Sequence, residues 1–296
     1  MSSTQIEMFS APEAGRLTKS MNAAFDRDGV IILHDFVPVS ECRRLQQRAL
    51  ELVDEFDANS VRSIFSVTQQ TQLNDDYFNE SGDKIRFFFE YDAFDETGSL
   101  RQPKEDSLNK MGHAMHDLDP VFDSFSRAPR LAAVVESLGY REPGILQSMY
   151  IFKPARIGGE VTCHQDSTFL YTEPESCVGF WFALEDATLE NGCMHFIPGA
   201  HKMPLKQRNY RRDDGSFTIE TLDDTPWPEE QKVPAEAPAG TLVIFAGRAP
   251  HMSGPNRSGK SRHAYTLHVI DKHCHYPANN WLQRGPDMPL RGFEQH

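Results

Sequence analysis

Cysteine is scarce in this sequence, and the few cysteines lack the spacing of a structural site. The 296 residues contain only Cys42, Cys163, Cys177, Cys193 and Cys274. This odd, dispersed set has no C-x-x-C pair, which argues against a disulfide scaffold and a cysteine-based zinc site. A reducing compartment is expected. The start shows no basic region followed by an apolar run and the end shows no Ser-Lys-Leu signal, so the cytoplasm is the expected location.

Long apolar runs and an excess of positive charge are also missing. No stretch is long and apolar enough to span a bilayer. Lys and Arg number 30 against 43 Asp and Glu, giving a formal net charge of -13. A phosphate backbone or anionic membrane has little attraction for such a chain, so neither nucleic acid nor membrane is expected as a partner. The oligomeric state has no signal in the sequence.

Apolar residues are nevertheless plentiful enough for a packed core. Hydrophobic residues make up 39% and aromatic residues 10% of the chain, values typical of a soluble globular protein. The length is compatible with one domain over residues 1–296, because β-rich domains with added helices often reach this size.

Residues 1–143 are predicted to be mainly helical, with short strands between the helices. Apolar residues recur on one face after Ser40, which we expect to cap a helix. A second helix is expected over 107–126 and a third over 130–138, ending at Gly139. The aromatic-rich segment 85–94 is expected to form a strand at the edge of the core, and the alternative is a wall of the substrate pocket.

From residue 144 to about residue 275 the pattern is β-rich. Short apolar runs separated by turn residues are typical of sandwiches and barrels rather than of a βαβ sheet. The predicted strands are 146–153, 161–165, 178–184, 193–197, 240–245, 251–254 and 262–270. The polar, proline-rich segment 202–239 interrupts them and is expected to be an insertion or lid. The predicted fold class is therefore mainly β with helices.

One histidine has a carboxylate two residues further on, in His164-Gln165-Asp166. Residues i and i+2 of a strand point to the same face, so the pair can present a nitrogen and an oxygen to one ion. Two histidines and one carboxylate leave open positions on a ferrous ion, as binding of an oxoacid and O₂ requires. An isolated H-x-D pair often arises by chance, so a third ligand is needed to support the site.

A second segment, residues 240–262, contains a candidate for that third metal ligand and a candidate partner for the oxoacid. A Gly-Arg-Ala-Pro turn places His251 at the start of a strand, where loops build sites. Gly254-Pro255 and Ser258-Gly259 then allow the chain to reverse, bringing Arg262 to a neighbouring strand. The planar guanidinium can pair bidentately with the distal carboxylate of a five-carbon dicarboxylate whose other end chelates the metal. Ser253 faces the same way as His251 and can donate to that carboxylate.

With these motifs, the chain resembles the phytanoyl-CoA dioxygenase family. Within the family it is most similar to the branch of phytanoyl-CoA dioxygenase domain-containing proteins. Further stretches carry the resemblance: 109–114, Leu170-Tyr171-Thr172-Glu173-Pro174, 185–193 and 196–201. It implies a double-stranded β-helix core, a jelly-roll of the cupin type, with N-terminal helical additions. It also implies that His164, Asp166 and His251 bind Fe(II), and that Ser253 and Arg262 bind 2-oxoglutarate.

Further co-substrate contacts rest on the resemblance alone. It places Lys110, Met149 and Trp181 beside 2-oxoglutarate. Without it, Lys110 reads as one lysine of an amphipathic helix, and Met149 and Trp181 read equally well as core residues of alternating strands.

The implied activity is hydroxylation of a C–H bond of a small-molecule or acyl substrate, with O₂ consumed and succinate and CO₂ released. Asp166 is intact, whereas halogenating relatives replace this carboxylate. Two alternatives stay open, a non-catalytic metal- and 2-oxoglutarate-binding or sensing module and a zinc hydrolase. The family suggests an acyl-CoA substrate, but CoA phosphates need a basic groove, so a small metabolite is equally compatible.

Other polar pairs have simpler explanations. The histidine pairs His113/His116 and His273/His275 are expected to be packed or solvated, since neither has a carboxylate partner in a recognisable motif. The acidic pairs 213–214 and 223–224 are expected to be solvated loop charges, although a lid with such charges can select a cationic substrate.

Overall fold

The structure is a computed structural model that describes residues 5–61, 63–65 and 75–294. Most of its helices lie in the first half of the chain. They are Lys19–Asp28 (α1), Val39–Glu55 (α2), Asp76–Asn79 (α3), Met115–Leu118 (α4), Pro120–Ser126 (α5) and Pro129–Ser137 (α6). None of these helices combines the length and the apolarity needed to cross a membrane.

Strands run through the whole described chain and dominate its second half. They are Met8–Ser10 (β1), Val30–His34 (β2), Ile85–Phe89 (β3), Leu108–His113 (β4), Pro143–Ile151 (β5), Val161–His164 (β6), Val178–Ala183 (β7), Met194–Phe196 (β8), Gln207–Arg211 (β9), Phe217–Thr221 (β10), Val233–Ala235 (β11), Leu242–Ala246 (β12), His251–Ser253 (β13) and Ala264–Asp271 (β14).

These strands form two main sheets. The larger sheet has eight strands in the order β1-β2-β12-β7-β14-β5-β4-β3, and the smaller has four in the order β11-β8-β13-β6. Strands β9 and β10 pair with each other as a separate antiparallel ribbon. Several neighbours within the sheets are far apart in sequence, as β14 shows by pairing with both β5 and β7. The prediction of a mainly β protein with helices is confirmed.

The larger sheet is buried on both faces. Successive residues of a strand point to opposite sides, so Phe180 and Phe182 of β7 pack on one face with helical residues such as Leu45 and Phe122. Trp181 points to the other face. There it shares a core with Met194 and Phe196 of the smaller sheet. This burial on both sides explains why β7 is apolar without alternation.

The two sheets meet directly through aromatic side chains. The rings of Phe196 in β8 and Phe245 in β12 lie 5.3 Å apart between centroids. Phe245 also contacts the ring of His251 in β13, at 4.7 Å. The core between the sheets therefore reaches the segment that carries the predicted metal ligands.

Two of the predicted helices are present, with one error at a helix start. The apolar stripe of α2, including Leu45 and Val53, is buried as expected. Ser40 does not cap this helix, because the helix begins directly after Pro38 and has no side-chain cap. Helix α6 ends just before Gly139, whose φ of +85° is the left-handed conformation that favours glycine at such a stop.

The helix predicted over 107–126 was wrong in its first part. Residues Leu108–His113 form β4, which pairs with both β3 and β5. Pairing with other strands outweighs a weak local helical periodicity. Local sequence patterns do not reveal this pairing. Only α4 and α5 are helical, and the side chain of Asp119 caps α5 by accepting from the backbone N–H groups of Val121 and Phe122.

Elsewhere the predicted strands are present with small shifts. The strand expected over 85–94 ends at Phe89 and is followed by a single 3₁₀ turn; Phe87, Phe88 and Phe89 are buried, as expected for core. The predicted strands after residue 144 all have a counterpart. The segment 202–239 contains three strands that the sequence pattern did not predict, and one of them, β11, joins the smaller sheet beside β8.

A buried ion-pair network ties the C-terminal segment to α4 and α5. The carboxylate of Asp117 is 4% exposed and lies 2.7 Å from Arg127, 2.8 Å from Arg291 and 3.3 Å from Arg284. Burial alone would raise the pKa of Asp117. The neighbouring His116 and arginines outweigh that effect and hold the pKa well below its usual range.

Asp117→Asn is therefore expected to lower the free energy of unfolding by about 3–5 kcal/mol at neutral pH, because it removes the buried carboxylate that Arg127 and Arg284 share. A depressed pKa stabilises the fold above the unfolded-state pKa of about 4, and this contribution is lost as the pH falls toward the folded-state value. The difference from wild type should shrink below about pH 4. Urea unfolding at several pH values measures it.

The matched control is Glu136→Gln, which removes an exposed carboxylate whose partner is Arg16. Exposed pairs contribute less than about 1 kcal/mol. Equal destabilisation by both substitutions would contradict a special role for the buried network.

Candidate active site

The three predicted metal ligands lie together at one end of the smaller sheet. His164 ends β6, and β13 pairs with β6 so that His251 lies opposite His164. Asp166 Oδ1 is 3.5 Å from His164 Nε2 and 3.7 Å from His251 Nε2, and the three ligand atoms all lie within 4.8 Å of one another. Among the described residues this is the one cluster of three histidine, cysteine or acidic side chains able to share an ion.

Backbone carbonyls orient both imidazoles. His164 Nδ1 is 2.9 Å from Thr162 O, and His251 Nδ1 is 3.0 Å from Ala249 O. Each Nδ1–H therefore donates to a carbonyl and leaves the Nε2 lone pair toward Asp166. Burial lowers the pKa of His251 to about 4, so this imidazole is neutral at neutral pH, as a metal ligand must be.

Asp166 is fixed by a histidine that sequence reasoning missed. His268 Nε2 lies 2.8 Å from Asp166 Oδ2, and Gln147 Nε2 lies 3.0 Å from His268 Nδ1. Gln147 donates to His268, which in turn donates to Asp166, so Oδ1 is left to face the two histidines. Burial alone would raise the pKa of Asp166, but the surrounding histidines hold it well below its usual range.

A signal for this pair exists in the sequence. His268 and Gln147 are polar residues within apolar strands and are direct neighbours in the β14–β5 register. Buried polar residues on a strand usually have a specific partner. The partner is Asp166, 102 residues before His268, and local sequence does not identify it.

Replacing His268 by leucine is expected to weaken iron affinity by about 10- to 100-fold, the usual effect of losing a group that orients a metal ligand. His268→Gln, which keeps a donor at this position, should retain more of the affinity. Competition with a metal chelator under argon measures both variants, and circular dichroism checks the fold. Unchanged affinity in His268→Leu would show that Asp166 needs no such support.

Arg262 is a buried cation with two unpaired donor atoms. The residue is 2% exposed, and its Nε and Nη1 have no hydrogen-bond partner within the described part of the chain. Its Cζ lies 5.3 Å from the ring of Trp181. Burial lowers the pKa of Arg262 to about 10, so it stays charged at neutral pH. Because an uncompensated buried charge is costly, the position fits an anionic ligand such as a carboxylate.

Contacts link this arginine to the triad. Trp181 lies in the same core between the sheets as Phe245, which touches His251. Ser253, in β13 with His251, is 4% exposed, and Lys153 Nζ donates to its Oγ at 2.9 Å. The structure thus brings together the predicted metal ligands, Ser253, Arg262 and Trp181.

Lys110 and Met149 lie on the adjacent strands β4 and β5, not on a helix as expected for Lys110. Lys110 Nζ is 3.9 Å from Met149 Sδ and 3.2 Å from the centre of the Phe65 ring. Burial lowers the pKa of Lys110 to about 7. Contacts of Lys110, Met149 and Trp181 with 2-oxoglutarate stay a prediction.

A cavity of about 220 Å³ opens beside His164. One wall comes from the metal-ligand segment, with Cys163, Gln165 and Thr168. The other wall comes from segment 202–239. Its residues are Lys206, Gln207, Thr221, Asp223, Asp224, Thr225 and Trp227.

The acidic pairs of this segment differ in their surroundings. Asp223 is not simply solvated, because its carboxylate lies 2.5 Å from Lys206 Nζ. Asp213, Asp214 and Asp224 are exposed.

The other histidine pairs behave as expected. His113 and His116 are buried, and their Nδ1 atoms lie 2.8 and 2.9 Å from the hydroxyls of Ser81 and Ser148. The side chain of His273 is 54% exposed, and His275 lies outside the strands as a single bridge to Glu173. The prediction of packed or solvated histidines is confirmed.

Solved structures share this fold at low sequence identity. One is the non-haem α-ketoglutarate-dependent carbocyclase SnoK from nogalamycin biosynthesis, with a TM-score of 0.66 and 18% identity over 96% of this chain and 97% of that one. Another is EctD from S. alaskensis with bound iron, with a TM-score of 0.62 and 21% identity over 97% of this chain and 88% of that one.

Closer relatives are found by sequence. The family model described as phytanoyl-CoA dioxygenase (PhyH) matches residues 25–264. A phytanoyl-CoA dioxygenase of Arabidopsis thaliana is 46% identical over 91% of this chain and 95% of its own length. The mouse phytanoyl-CoA dioxygenase domain-containing protein 1 is 45% identical over 93% and 97%. The chain therefore belongs to the phytanoyl-CoA dioxygenase family.

Proposed function

We propose that this enzyme hydroxylates a C–H bond of a small-molecule or acyl substrate, with His164, Asp166 and His251 as the iron ligands. One observation carries the proposal. A His-Asp-His cluster with its Nε2 and Oδ1 atoms converging is linked through the core residues Phe245 and Trp181 to a buried arginine with two unpaired donor atoms. These are the two features that a ferrous ion and a dicarboxylate require.

Each residue has a role in binding or orientation. Thr162 and Ala249 carbonyls hold the imidazoles, and His268 holds Asp166, so the donor atoms are in place before an ion binds. The guanidinium of Arg262 and the hydroxyl of Ser253 bind the distal carboxylate of 2-oxoglutarate. Lys110, Met149 and Trp181 form the rest of its surroundings.

The bound iron supplies the oxidising chemistry. Overall, 2-oxoglutarate, O₂ and a substrate R–H yield succinate, CO₂ and R–OH. One oxygen atom enters succinate and the other enters the product. The apolar walls around His251, including Phe196 and Phe245, exclude water from the site.

Membership of this family also leads to a proposal for the core fold and the domain organisation of the chain. We assign the core at 144–275 to a double-stranded β-helix of the cupin type and residues 1–296 to one oxygenase domain. The shared core between the two sheets, with strands of both chain halves in the larger sheet, supports one domain. Segment 202–239 forms one wall of the cavity beside His164, which supports its role as a lid.

The substrate is proposed to bind in that cavity. Its described lining is polar, and Lys206 is already paired with Asp223. An acyl-CoA of the kind named for the relatives carries phosphates that need basic partners. The lining therefore favours a small polar substrate. The acidic net charge and the free cysteines further support a cytoplasmic location without nucleic-acid or membrane partners.

The test uses full-length protein purified and reconstituted without oxygen. We expect one iron per chain and iron-dependent formation of succinate from 2-oxoglutarate. Screening a metabolite library that includes phytanoyl-CoA should reveal a substrate that increases succinate release and gains one oxygen atom. Stoichiometric zinc with hydrolytic turnover would overturn the proposal, and so would binding of iron and 2-oxoglutarate without turnover across the library.

A further inference from the structure

We infer that Lys153 is a positioning residue for 2-oxoglutarate, which directs the hydroxyl proton of Ser253 toward the distal carboxylate and adds a second cation beside Arg262. The inference rests on the proposed function. Lys153 had no role in the sequence predictions.

The hydrogen bonds of Lys153 determine the direction in which Ser253 can donate. Lys153 Nζ lies 2.9 Å from Ser253 Oγ and 2.8 Å from Gly159 O. An incoming carboxylate favours the protonated form of Lys153. The ammonium group of that form has three donors and no acceptor, so Ser253 Oγ then accepts from it. The hydroxyl proton of Ser253 then needs a different acceptor, and within the described residues it has none. A carboxylate between Ser253 and Arg262 would supply it.

The side chain of Lys153 is held in this position by close packing. A Cβ on Gly192 would lie 2.5 Å from Lys153 Cε, and a Cβ on Gly158 would lie 2.9 Å from its Cγ. The residue itself is 2% exposed. Two glycines thus leave room for the lysine stem, whose Nζ reaches Ser253 Oγ.

The backbone joins Lys153 to Arg262 directly. The Arg262 N–H donates to the carbonyl of Lys153 at 3.2 Å, and the Asn256 side chain donates to the same oxygen at 3.0 Å. Lys153 has a φ of +37°, a conformation that non-glycine residues rarely adopt and that persists where surrounding contacts enforce it. A backbone hydrogen bond therefore holds the residues that carry the two cations, Lys153 and Arg262, next to each other.

The charges around Lys153 favour an incoming anion. Burial, together with repulsion from Arg262, lowers the pKa of Lys153 to about 7. The buried carboxylate beside them is Glu90, which accepts hydrogen bonds from the Gly159 N–H and from the side chain of Asn109. Burial raises the pKa of Glu90. A second carboxylate, from the co-substrate, would better balance the two cations.

A purely structural role is the competing explanation, since Lys153 also holds the Gly159 carbonyl. The two roles differ in ligand dependence. A residue that acts through Ser253 on the distal carboxylate affects only ligands that have this group, whereas a structural residue affects the whole site.

The experiment is calorimetric titration under argon with Mn²⁺ in place of iron. It compares 2-oxoglutarate with 2-oxopentanoate, which has the same 2-oxo acid end but no distal carboxylate. We expect Lys153→Met to weaken 2-oxoglutarate binding by about 10- to 100-fold and to leave Mn²⁺ and 2-oxopentanoate binding unchanged within about twofold. Lys153→Gln keeps a donor to Ser253 and should recover part of the loss.

A double-mutant cycle with Ser253→Ala tests the route of the effect. The two losses should be less than additive, because residues that act through one another couple. Unchanged 2-oxoglutarate affinity in Lys153→Met, or an equal loss for both ligands, would overturn the inference.

Arg262→Met in the same titration separates this inference from the proposed function. If Arg262→Met abolishes 2-oxoglutarate binding while Lys153→Met does not, only the inference about Lys153 fails. If wild type does not bind 2-oxoglutarate, or Arg262→Met binds it as wild type does, the proposed function fails.

Discussion

His164→Ala is expected to remove iron from the protein and to reduce succinate formation by at least about 10³-fold. Iron contributes several kcal/mol to catalysis, and each 1.36 kcal/mol corresponds to a factor of ten. His164 supplies one of only three donor atoms in the cluster, so two ligands remain after the substitution. Metal content after anaerobic reconstitution and the rate of succinate release measure the effect.

His273→Ala is the matched control for this substitution. His273 is an exposed histidine, with 54% of its side chain accessible, and it lies against Glu142 and Asp271. We expect wild-type iron content and turnover in this variant. Full iron occupancy in a folded His164→Ala protein would contradict the assignment of His164 as a ligand.

Arg262→Met is expected to increase the KM for 2-oxoglutarate by about two to three orders of magnitude. Removing one partner of a buried, hydrogen-bonded charge pair costs about 2–5 kcal/mol, and the unpaired Nε and Nη1 of Arg262 are the donors available for such a pair. Arg262→Lys should also bind poorly, because an ammonium does not reproduce the planar two-donor contact. Steady-state kinetics and calorimetry measure both variants.

The same substitution should stabilise the protein without ligand. Arg262 is a buried cation with unpaired donors, and methionine removes its desolvation cost. We expect Arg262→Met to raise the free energy of unfolding by about 1 kcal/mol, a gain in stability at the expense of function. The exposed Arg257 provides the control, since Arg257→Met should change neither binding nor stability. Loss of stability together with unchanged KM would identify Arg262 as a structural residue instead.

Local patterns predicted those helices and strands that can be recognised from their own residues alone. The apolar stripe of α2 and the glycine stop after α6 follow from the period and termination of a single helix. The strands after residue 144 were recognisable because turn residues separate them. Strand β4 was not, because its pairing with β3 and β5 depends on residues outside the local window. Lys110 was therefore placed on the wrong type of element.

The candidate site divides in the same way. His164 and Asp166 are two residues apart, and the turns after His251 indicate how Arg262 returns, so residue types and short spacings predicted which side chains meet. His268 lies 102 residues from Asp166, and Lys153 lies 100 residues from Ser253. No short-range pattern connects such pairs.

The sequence by itself determined the chemistry of the site. It supplies two imidazoles, a carboxylate and a guanidinium, at spacings that bring them close together when strands and turns form. Only the tertiary structure decided which atoms of these groups are available. Carbonyls leave the Nε2 atoms free, His268 leaves Asp166 Oδ1 free, and burial leaves Arg262 charged with unpaired donors. The physical reason is that hydrogen bonding and desolvation depend on every neighbour in space, whereas spacing depends only on neighbours along the chain.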